Sequence, residues 1–269
     1  MSEPKVSSLS LVIITLNEEA MLAECLRSAS FAGETVVVDS GSTDRTREIA
    51  VAHGATVSTR TFDNFANQKN AAIDLASGDW LLLLDADERV TPELEASIRT
   101  AIVDPASPDG FYIRRDNYLF GGRLRFGANA NDKQLRLIRG GKGRFEGLVH
   151  ERLGVSGSTG DLKGALTHYS SESVAEYRKK LPLFCSLDAE QAWKRGERPT
   201  FFRSYLKPFA AFVYYYFFKL GFLDGSRGLL YQLLAANYLF SKYARLRRLY
   251  RDRGPASPQS SPLNGPPRL

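Results

Sequence analysis

The chain has 269 residues, of which 43% are hydrophobic and 25% are charged, and this composition excludes a disordered protein, a collagen-like repeat and a disulfide-stapled miniprotein. The length suffices for one large core with a smaller appendage. The net charge of +6 is unevenly spread, because residues 1–100 sum to −8, residues 101–171 to +4 and residues 172–269 to +10. A chain polarised in this way suits nucleic acid, an anionic membrane or an acidic ligand.

The sequence also favours a cytoplasmic location. Its two cysteines, Cys25 and Cys185, lie far apart in the chain, which favours reduced thiols over a disulfide framework. The first apolar run, at residues 9–14, is too short for a signal peptide. No run reaches the roughly 18 to 20 apolar residues that a membrane-spanning helix needs.

Strand and helix patterns alternate in the first hundred residues. Short apolar runs rich in leucine or β-branched residues predict buried strands at residues 9–14, 35–38, 55–58 and 79–84. Capping residues and periodicity predict helices at residues 17–28, where Asn17 is the cap, and at residues 42–52 and 65–76. This alternation predicts βαβ units and therefore an α/β fold with a sheet covered by helices.

The rest of the chain has a different pattern. Strand-like runs at residues 111–113 and 134–138 predict antiparallel strands that complete a mixed sheet, and a helical pattern begins at residue 173. Proline and serine dominate the C-terminus, which we expect to be disordered. We divide the chain into an α/β domain at residues 1–170, a helical, aromatic and basic extension at 171–253, and a disordered tail at 254–269.

Polar residues follow three of the predicted strands, at the point where each strand ends. They are Thr15, Asn17 and Glu18 after the first strand, Asp39 and Ser42 after the second, and Asp85 and Asp87 after the fourth. Ligands of open α/β sheets bind at the carboxyl ends of the strands. The sequence therefore predicts a single ligand site at this edge of the sheet.

Asp85 and Asp87 form a D-x-D pair directly after four leucines. Carboxylate oxygens suit Mg²⁺ or Mn²⁺, and such an ion can bridge a diphosphate and neutralise its developing charge. The alternative is a solvated turn that precedes the helix at Pro92. A D-x-D pair does not decide between these interpretations by itself, but its position after a buried strand favours the metal.

Each of the other candidates also has a structural alternative. Asp39 could accept hydrogen bonds from a base or a ribose, or the turn that follows it could simply cap the next helix. Glu18 could contact a ribose or balance a helix dipole. Lys69 could approach a phosphate and Arg136 could face an anion, or both could lie on solvated faces of their elements.

His150 and Glu151 form a pair after a strand-like run, and Glu146 is a competing carboxylate. A carboxylate beside a histidine can act as a general base, with the histidine as its orienting partner or as a metal ligand. Neither a G-x-x-x-x-G-K-S/T nor a G-x-G-x-x-G motif occurs. This argues against a Walker-type phosphate loop and against a hydride-transfer cofactor.

Taken together, these motifs resemble those of the family 2 glycosyltransferases, which adopt the GT-A fold. The resemblance rests on four segments in the family's order and spacing: SLVIITLNE at residues 10–18, VVVDSGSTD at 36–44, QKN at 68–70 and LDADE at 84–88. The later run FEGLVHE at residues 145–151 resembles the narrower branch of lipopolysaccharide-core β-1,4-glucosyltransferases.

This resemblance implies an inverting transfer of one hexose, expected to be glucose, from a UDP-sugar to a lipid-linked saccharide such as the lipopolysaccharide inner core. It implies that Glu151 deprotonates the acceptor hydroxyl and that Asp87 ligates a divalent metal, Mg²⁺ or Mn²⁺, with His150 as a further candidate ligand. The residues implied to bind the nucleotide-sugar are Thr15, Asn17, Glu18, Asp39, Ser42, Lys69, Asp85 and Arg136.

Two departures from common family patterns are visible. Leu16 stands where a tyrosine is more usual before the Asn-Glu pair, a change that we expect to be tolerated. The Q-x-x-R-W signature of processive polysaccharide synthases does not occur in the sequence. Its absence indicates addition of a single sugar.

The C-terminal part suggests where the acceptor is met. An aromatic segment at residues 201–218 is too short to span a bilayer, and a basic cluster follows it, consisting of Lys242, Arg245, Arg247, Arg248, Arg251 and Arg253. Together they suit an interfacial helix on an anionic leaflet, with the enzyme peripheral on the inner face of the plasma membrane. The alternative is a helical cap on the domain core with a solvated basic tail.

Other functions stay open on the residues alone. A transferase could act on a polyprenyl-phosphate-linked, capsular or exopolysaccharide acceptor, or the protein could bind a sugar nucleotide without catalysis. A sugar-phosphate nucleotidyltransferase would need an N-terminal glycine-rich phosphate loop, which this sequence lacks. Nucleic acid is the least supported partner, because neither an RNP pattern nor a zinc-ligand spacing is present.

Overall fold

The computed structural model describes residues 8–147, 152–171 and 173–255. Within these residues the chain folds into two compact units. The first unit comprises the residues up to Arg125 together with Asn129–Ser173. The second comprises Val174 onward and the short segment Phe126–Ala128, which the sequence pattern did not assign to it.

The first unit is built on a mixed sheet. Its strands are β1 Leu9–Thr15, β2 Glu34–Asp39, β3 Thr56–Thr59, β4 Trp80–Asp85, β5 Glu88–Val90, β6 Gly110–Leu119, β7 Gly122–Leu124, β8 Lys133–Arg139 and β11 Thr159–Ser171. They follow the order β3-β2-β1-β4-β8-β6-β11-β5, with β7 paired to β6. The strands β9 Gly143–Glu146 and β10 Arg152–Val155 form a separate antiparallel hairpin.

The pairing directions bring five strand ends to one edge. Strand β1 pairs in parallel with β2 and β4. Strand β8 is antiparallel to both β4 and β6, and β6 is parallel to β11, so β6 and β11 run in the direction of β4. We call the edge at which β1, β2, β4, β6 and β11 end the carboxyl edge.

Helices cover both faces of this sheet, which confirms the predicted mixed α/β sheet of the GT-A type. The helices of the first unit are α1 Leu22–Ser28, α2 Thr46–Ala52, α3 Phe65–Leu75 and α4 Pro92–Val103. Alternate leucines of β4 face opposite ways, so Leu82 packs in the core shared with α4, and Leu83 packs in the core shared with α3. This two-sided burial explains the continuous leucine run in β4.

The prediction that Asn17 caps a helix is wrong. Asn17 adopts a left-handed backbone with φ of 55°, which cannot be continued as a helix, and α1 begins only at Leu22. Helix α2 likewise begins at Thr46 rather than at residue 42, because residues 40–45 form a turn around the end of β2. Both displaced residues instead shape the carboxyl edge.

The second unit is helical. It contains α5 Val174–Lys194, α6 Lys207–Val213 and α7 Gly225–Arg253, and π-helical turns at Phe202–Leu206 and Tyr214–Phe218 flank α6. Helices α5 and α7 pack around a small core formed by Ala189, Ala192, Tyr243 and Leu246. No helix among the described residues is both long and apolar enough to cross a membrane.

Candidate active site

The turn after β2 is organised by a buried carboxylate. Asp39 accepts hydrogen bonds from the backbone N–H groups of Gly41 (3.0 Å) and Ser42 (2.8 Å) and from the hydroxyls of Thr15 (3.0 Å) and Ser42. Burial raises the pKa of Asp39, but these hydrogen bonds outweigh burial and leave its pKa below the usual value. Asp39, Ser42 and Thr15 are therefore tied to one another at the ends of β1 and β2.

The loop after β1 is joined to the same turn. The N–H of Asn17 donates to the hydroxyl of Ser42 (2.8 Å), and the N–H of Thr43 donates to the side-chain oxygen of Asn17 (2.9 Å). The N–H of Glu18 donates to the hydroxyl of Thr46 (2.7 Å). The left-handed backbone of Asn17 makes these cross-links feasible, so the two loops form one continuous wall of the carboxyl edge.

Asp85, at the end of β4, lies between two cations. Its Oδ1 is 3.0 Å from Lys69 Nζ, and its Oδ2 accepts a hydrogen bond from Arg136 Nη2. Burial raises the pKa of Asp85, but Arg136 and Lys69 outweigh burial and hold its pKa well below the usual value. Lys69 also lies 5.1 Å from the centroid of the Phe145 ring. Asp85 is thus an ionised carboxylate whose charge is already balanced.

Arg136 lies inside the unit rather than on a solvated strand face. It is only 5% exposed, and its Nη2 also donates to Oε1 of the buried Glu88 (2.7 Å). The other oxygen of Glu88 accepts a hydrogen bond from the backbone N–H of Asp85 (3.0 Å). Arg115 Nη1 lies 3.4 Å from the same carboxylate. The guanidinium of Arg136 therefore bridges two carboxylates and positions Asp85.

Asp87 has a different environment from that of Asp85. Its Oδ1 is buried and has no hydrogen-bond partner among the described residues, and its Oδ2 lies 3.5 Å from His168 Nε2. The other imidazole nitrogen of His168 is 2.6 Å from the side-chain oxygen of Asn117, whose Nδ2 donates to Asp132 (2.9 Å). Because Asn117 presents its oxygen, His168 Nδ1 is the donor in this contact, and Nε2 is the ring nitrogen that faces Asp87.

The sequence did not single out His168, Asn117 or Glu88 for this site. His168 and Asn117 lie opposite each other on the parallel strands β11 and β6, which end at the carboxyl edge. The histidine itself was visible in the sequence. The sequence pattern predicts no strand at residues 159–171, so neither β11 nor its parallel pairing with β6 follows from it.

In the sequence, the base candidates fall at the end of β9 and between β9 and β10. Asn70 pairs with both backbone groups of Phe145, donating to its carbonyl (2.9 Å) and accepting from its N–H (2.9 Å). Glu146 ends β9 and is exposed. His150 and Glu151 lie outside the described residues, so their roles stay predictions.

The available metal ligands are few. Among the residues that the structure describes, no three His, Cys, Asp or Glu side chains are grouped so that they could hold a metal ion by themselves. Mg²⁺-type sites commonly use one or two carboxylates and complete their coordination with substrate phosphates and water. The Oδ1 of Asp87, which has no hydrogen-bond partner in the part of the chain that the structure describes, and the Nε2 of His168 fit such a partial donor set.

The fold and this edge of polar side chains define a transferase of the GT-A type. The model of glycosyl transferase family 2 matches residues 10–147, and the chain belongs to that family. It is 30% identical to the lipopolysaccharide core biosynthesis glycosyltransferase LpsC of Rhizobium meliloti (strain 1021), over 88% of this chain and 93% of LpsC. An uncharacterized glycosyltransferase of Rickettsia bellii (strain RML369-C) is 28% identical over 96% of this chain and 92% of its own.

Among solved structures, the chain has a partial likeness to glucosyl-3-phosphoglycerate synthase from Mycobacterium tuberculosis, solved with Mn²⁺, uridine diphosphate and glucosyl-3-phosphoglycerate. The match has 23% identity and a TM-score of 0.35. It covers 42% of this chain and 44% of the synthase chain. The likeness is therefore confined to less than half of each molecule.

Proposed function

We propose that the protein transfers a single hexose, with glucose as the expected sugar, from a UDP-sugar to a lipid-linked saccharide of the lipopolysaccharide inner core, with inversion at the anomeric carbon. Similarity to LpsC over 88% of the chain supports the acceptor class. The observation that carries the proposal is the pair formed by Asp87 and His168, where a buried carboxylate oxygen lacks a partner among the described residues at the edge where β1, β2 and β4 end.

A divalent metal, Mg²⁺ or Mn²⁺, fits this pair. Asp87 and His168 would hold the ion, with His150 as the further predicted ligand, and the donor diphosphate would complete its coordination. When bound, the ion supplies Lewis-acid neutralisation of the charge that develops on the diphosphate leaving group. Asn117 supports this role, because it fixes which nitrogen of His168 faces the ion.

Asp85 would accept a hydrogen bond from a hydroxyl of the ribose or the sugar. Because Lys69 and Arg136 already balance its charge, this acceptor adds little repulsion beside an anionic diphosphate. The wall formed by Thr15, Asn17, Glu18, Asp39 and Ser42 would enclose the nucleoside. Asp39 would act there mainly by holding the wall in shape, since its oxygens accept four hydrogen bonds from its own neighbours.

In the proposed displacement, Glu151 takes the proton of the acceptor hydroxyl while that oxygen bonds to the anomeric carbon. The bond from this carbon to the diphosphate oxygen breaks in the same step, and UDP leaves with the electron pair. No covalent enzyme intermediate is formed, so the rate depends on holding both substrates in line. Glu146 is the alternative base.

We further propose that the second unit contacts the cytoplasmic face of an anionic membrane. Residues 201–219 contain three basic side chains, Arg203, Lys207 and Lys219, and no acidic one. The most exposed aromatic residues of this segment form what we call the aromatic face, consisting of Phe201, Phe202, Phe209, Phe217 and Phe218. Exposed phenylalanines flanked by cations are typical of helices that lie in the lipid headgroup region.

The basic cluster of α7 contributes less to this contact than the sequence suggested. Lys242 lies 3.2 Å from Asp188, and Arg253 lies 3.0 Å from Glu190, so both cations are paired with acids of α5. Arg247 donates to the hydroxyl of Tyr205 (2.9 Å). These side chains help to hold the second unit together, which leaves the aromatic face as the main argument for membrane contact.

A metal-dependent transfer assay tests the enzymatic proposal. The protein is incubated with Mn²⁺ or Mg²⁺, a panel of UDP-sugars and core oligosaccharide, and UDP release and product are measured. Asp87→Asn should lose about 10³-fold in kcat, because the leaving-group charge is no longer neutralised. The matched control, Asp161→Asn, changes an exposed aspartate that pairs with Lys133 and should keep wild-type activity.

His168→Gln separates a role at the metal from a purely structural one. We expect the affinity for Mn²⁺ in the presence of UDP, followed by electron paramagnetic resonance, to fall about 10- to 100-fold. If the wild type turned over no UDP-sugar of the panel, or if Asp87→Asn kept full activity, the proposed function would be refuted.

A further inference from the structure

Two tyrosine rings lie together at the carboxyl edge. Tyr118 of β6 and Tyr169 of β11 are direct partners in the strand register, and their ring centroids are 5.3 Å apart at an angle of 35°. Tyr169 remains 38% exposed. We propose that these rings form a platform on which the acceptor saccharide stacks, an inference that rests on the proposed function and adds to it a binding subsite.

The platform lies close to the candidate metal site. The backbone N–H of Tyr169 donates to the carbonyl of Asp87 (2.9 Å), and the residues just before the two tyrosines are His168 and Asn117. Successive side chains of a strand point to opposite faces, so the tyrosines lie on the other side of the strands from the imidazole. The platform and the candidate metal site are therefore neighbours along the ends of β6 and β11, on opposite faces of these strands.

The same face of the sheet carries the β9–β10 hairpin. Phe145 of β9 packs with Leu81 and Leu83, which face the side opposite to Leu82 and Leu166. Tyr169 faces that same side, because it is an odd number of residues from Leu166 in β11. In the sequence, Glu151 directly precedes β10. The platform and Phe145 of β9 therefore belong to one face of the sheet.

The rings are held in position before any ligand arrives. The guanidinium of Arg89 lies 5.8 Å from the Tyr169 centroid, and Arg89 is itself fixed by hydrogen bonds to the carbonyls of Ala86 (2.7 Å) and Met21 (2.7 Å). Tyr118 supports the ring from another side. Little conformational entropy is then lost when a ligand settles on the exposed part of Tyr169.

The polar groups around the rings suit a saccharide. Arg123, the strand partner of Tyr118 in β7, lies beside Asp116, and its Nε is buried without a hydrogen-bond partner among the described residues. A sugar ring offers a face of C–H groups, which pack on the electron-rich face of an aromatic ring, and hydroxyls that pair with nearby polar atoms. The partly exposed charged pair of Arg123 and Asp116 beside Tyr118 suits hydroxyl groups better than an acyl chain, so the chemistry favours sugar over lipid.

Substitution of Tyr169 tests the platform with core oligosaccharide, freed of its lipid, as the probe. Tyr169→Leu should raise the KM for this oligosaccharide about tenfold and weaken its binding equally in calorimetric titration, while UDP affinity stays within about twofold. Tyr169→Phe should restore most of the affinity, because the ring is kept. Tyr112→Leu is the matched control, since Tyr112 is 40% exposed on the same face but near the opposite end of β6.

The outcomes separate the platform from the proposed function. If the wild type transfers no sugar but binds the oligosaccharide, and Tyr169→Leu weakens that binding, the proposed transfer reaction is refuted and the proposed saccharide platform is supported. Equal effects of Tyr169→Leu and Tyr112→Leu would overturn the platform. So would a parallel loss of UDP affinity, or the absence of oligosaccharide binding by the wild type.

Discussion

The carboxyl edge of the first unit and the aromatic face of the second unit differ in which side chains they bury and which they expose. At the carboxyl edge, charged groups such as Arg136 and Glu88 are buried and paired with one another. Along the aromatic face, Phe209 and Phe218 are 66% and 74% exposed. A buried charge is destabilising unless it is paired with an opposite charge or hydrogen-bonded. An exposed apolar patch is also unfavourable in water, and burial against another surface lowers its free energy. The buried charges Arg136 and Glu88 are therefore paired without any ligand, whereas the aromatic face leaves apolar area exposed to solvent.

The same contrast exists on a smaller scale between two aspartates. Asp85 has cations on both oxygens, and Asp87 has a buried oxygen with no partner in the part of the chain that the structure describes. The paired carboxylate serves the architecture of the site. A cation that binds near Asp87 would therefore interact more favourably than one near Asp85, whose charge is already balanced.

The largest expected effect comes from removing the cation at the centre of the paired region. Arg136→Met leaves Asp85 and Glu88 close together without their shared guanidinium, and it should lower the free energy of unfolding by about 3–5 kcal/mol. Urea unfolding followed by tryptophan fluorescence, to which the buried Trp80 contributes, measures this loss. Arg144→Met, which breaks an exposed pair with Asp74, should cost about 1 kcal/mol or less. Equal stability of the two variants would contradict the account of the buried region.

A smaller effect, dependent on pH, is expected at the turn after β2. The pKa of Asp39 is lower in the folded protein than the value of about 3.9 typical of an unfolded chain, so its contribution is complete above that value and is lost as the pH falls through the folded pKa. Asp39→Asn should therefore cost about 1–3 kcal/mol at pH 7, and the difference from wild type should shrink below about pH 4. Urea unfolding at a series of pH values measures it. A difference that is constant across this series would exclude the carboxylate as its cause.

The smallest effect is expected at the aromatic face, where substitutions should change membrane binding and leave transfer activity unchanged. The double variant Phe209→Ser and Phe218→Ser should reduce flotation with vesicles of anionic phospholipid about tenfold, because apolar area available for burial in the headgroup region is lost. Transfer to lipid-free oligosaccharide should not change. Val51→Ser, at an exposed apolar residue of the first unit, is the control. Unchanged flotation of the double variant would remove the argument for membrane contact.

Local pattern was sufficient to predict the part of the fold that lies in β1, β2 and β4. Their apolar runs are buried on two sides, which leaves a strong sequence signal, and each run is followed by the polar residues that the structure brings to one edge. The left-handed turn at Asn17 was not predictable in this way. An asparagine before two glutamates fits a helix cap equally well, and the turn is favoured by cross-links of Asn17 to Ser42 and Thr43, which lie far from it in sequence.

Non-local pairing explains the remaining misses. The guanidinium of Arg136 turns inward because Glu88 and Asp85 are there to receive it, and neither is close to it in sequence. His168 reaches the site only because β11 runs parallel to β6. Lys242 pairs with an acid more than fifty positions away on α5. Pairs of this kind depend on topology, which a single sequence does not specify.

Asn70 covers part of an exposed strand edge at which another molecule could pair. A two-stranded hairpin such as β9–β10 presents unpaired backbone groups at its outer edges, and such edges can recruit a strand from another molecule. The amide of Asn70 imitates a peptide group by engaging the N–H and the carbonyl of Phe145 at once. A side chain from α3 thus closes that position of the β9 edge, and its loss would open a place where β-aggregation could begin.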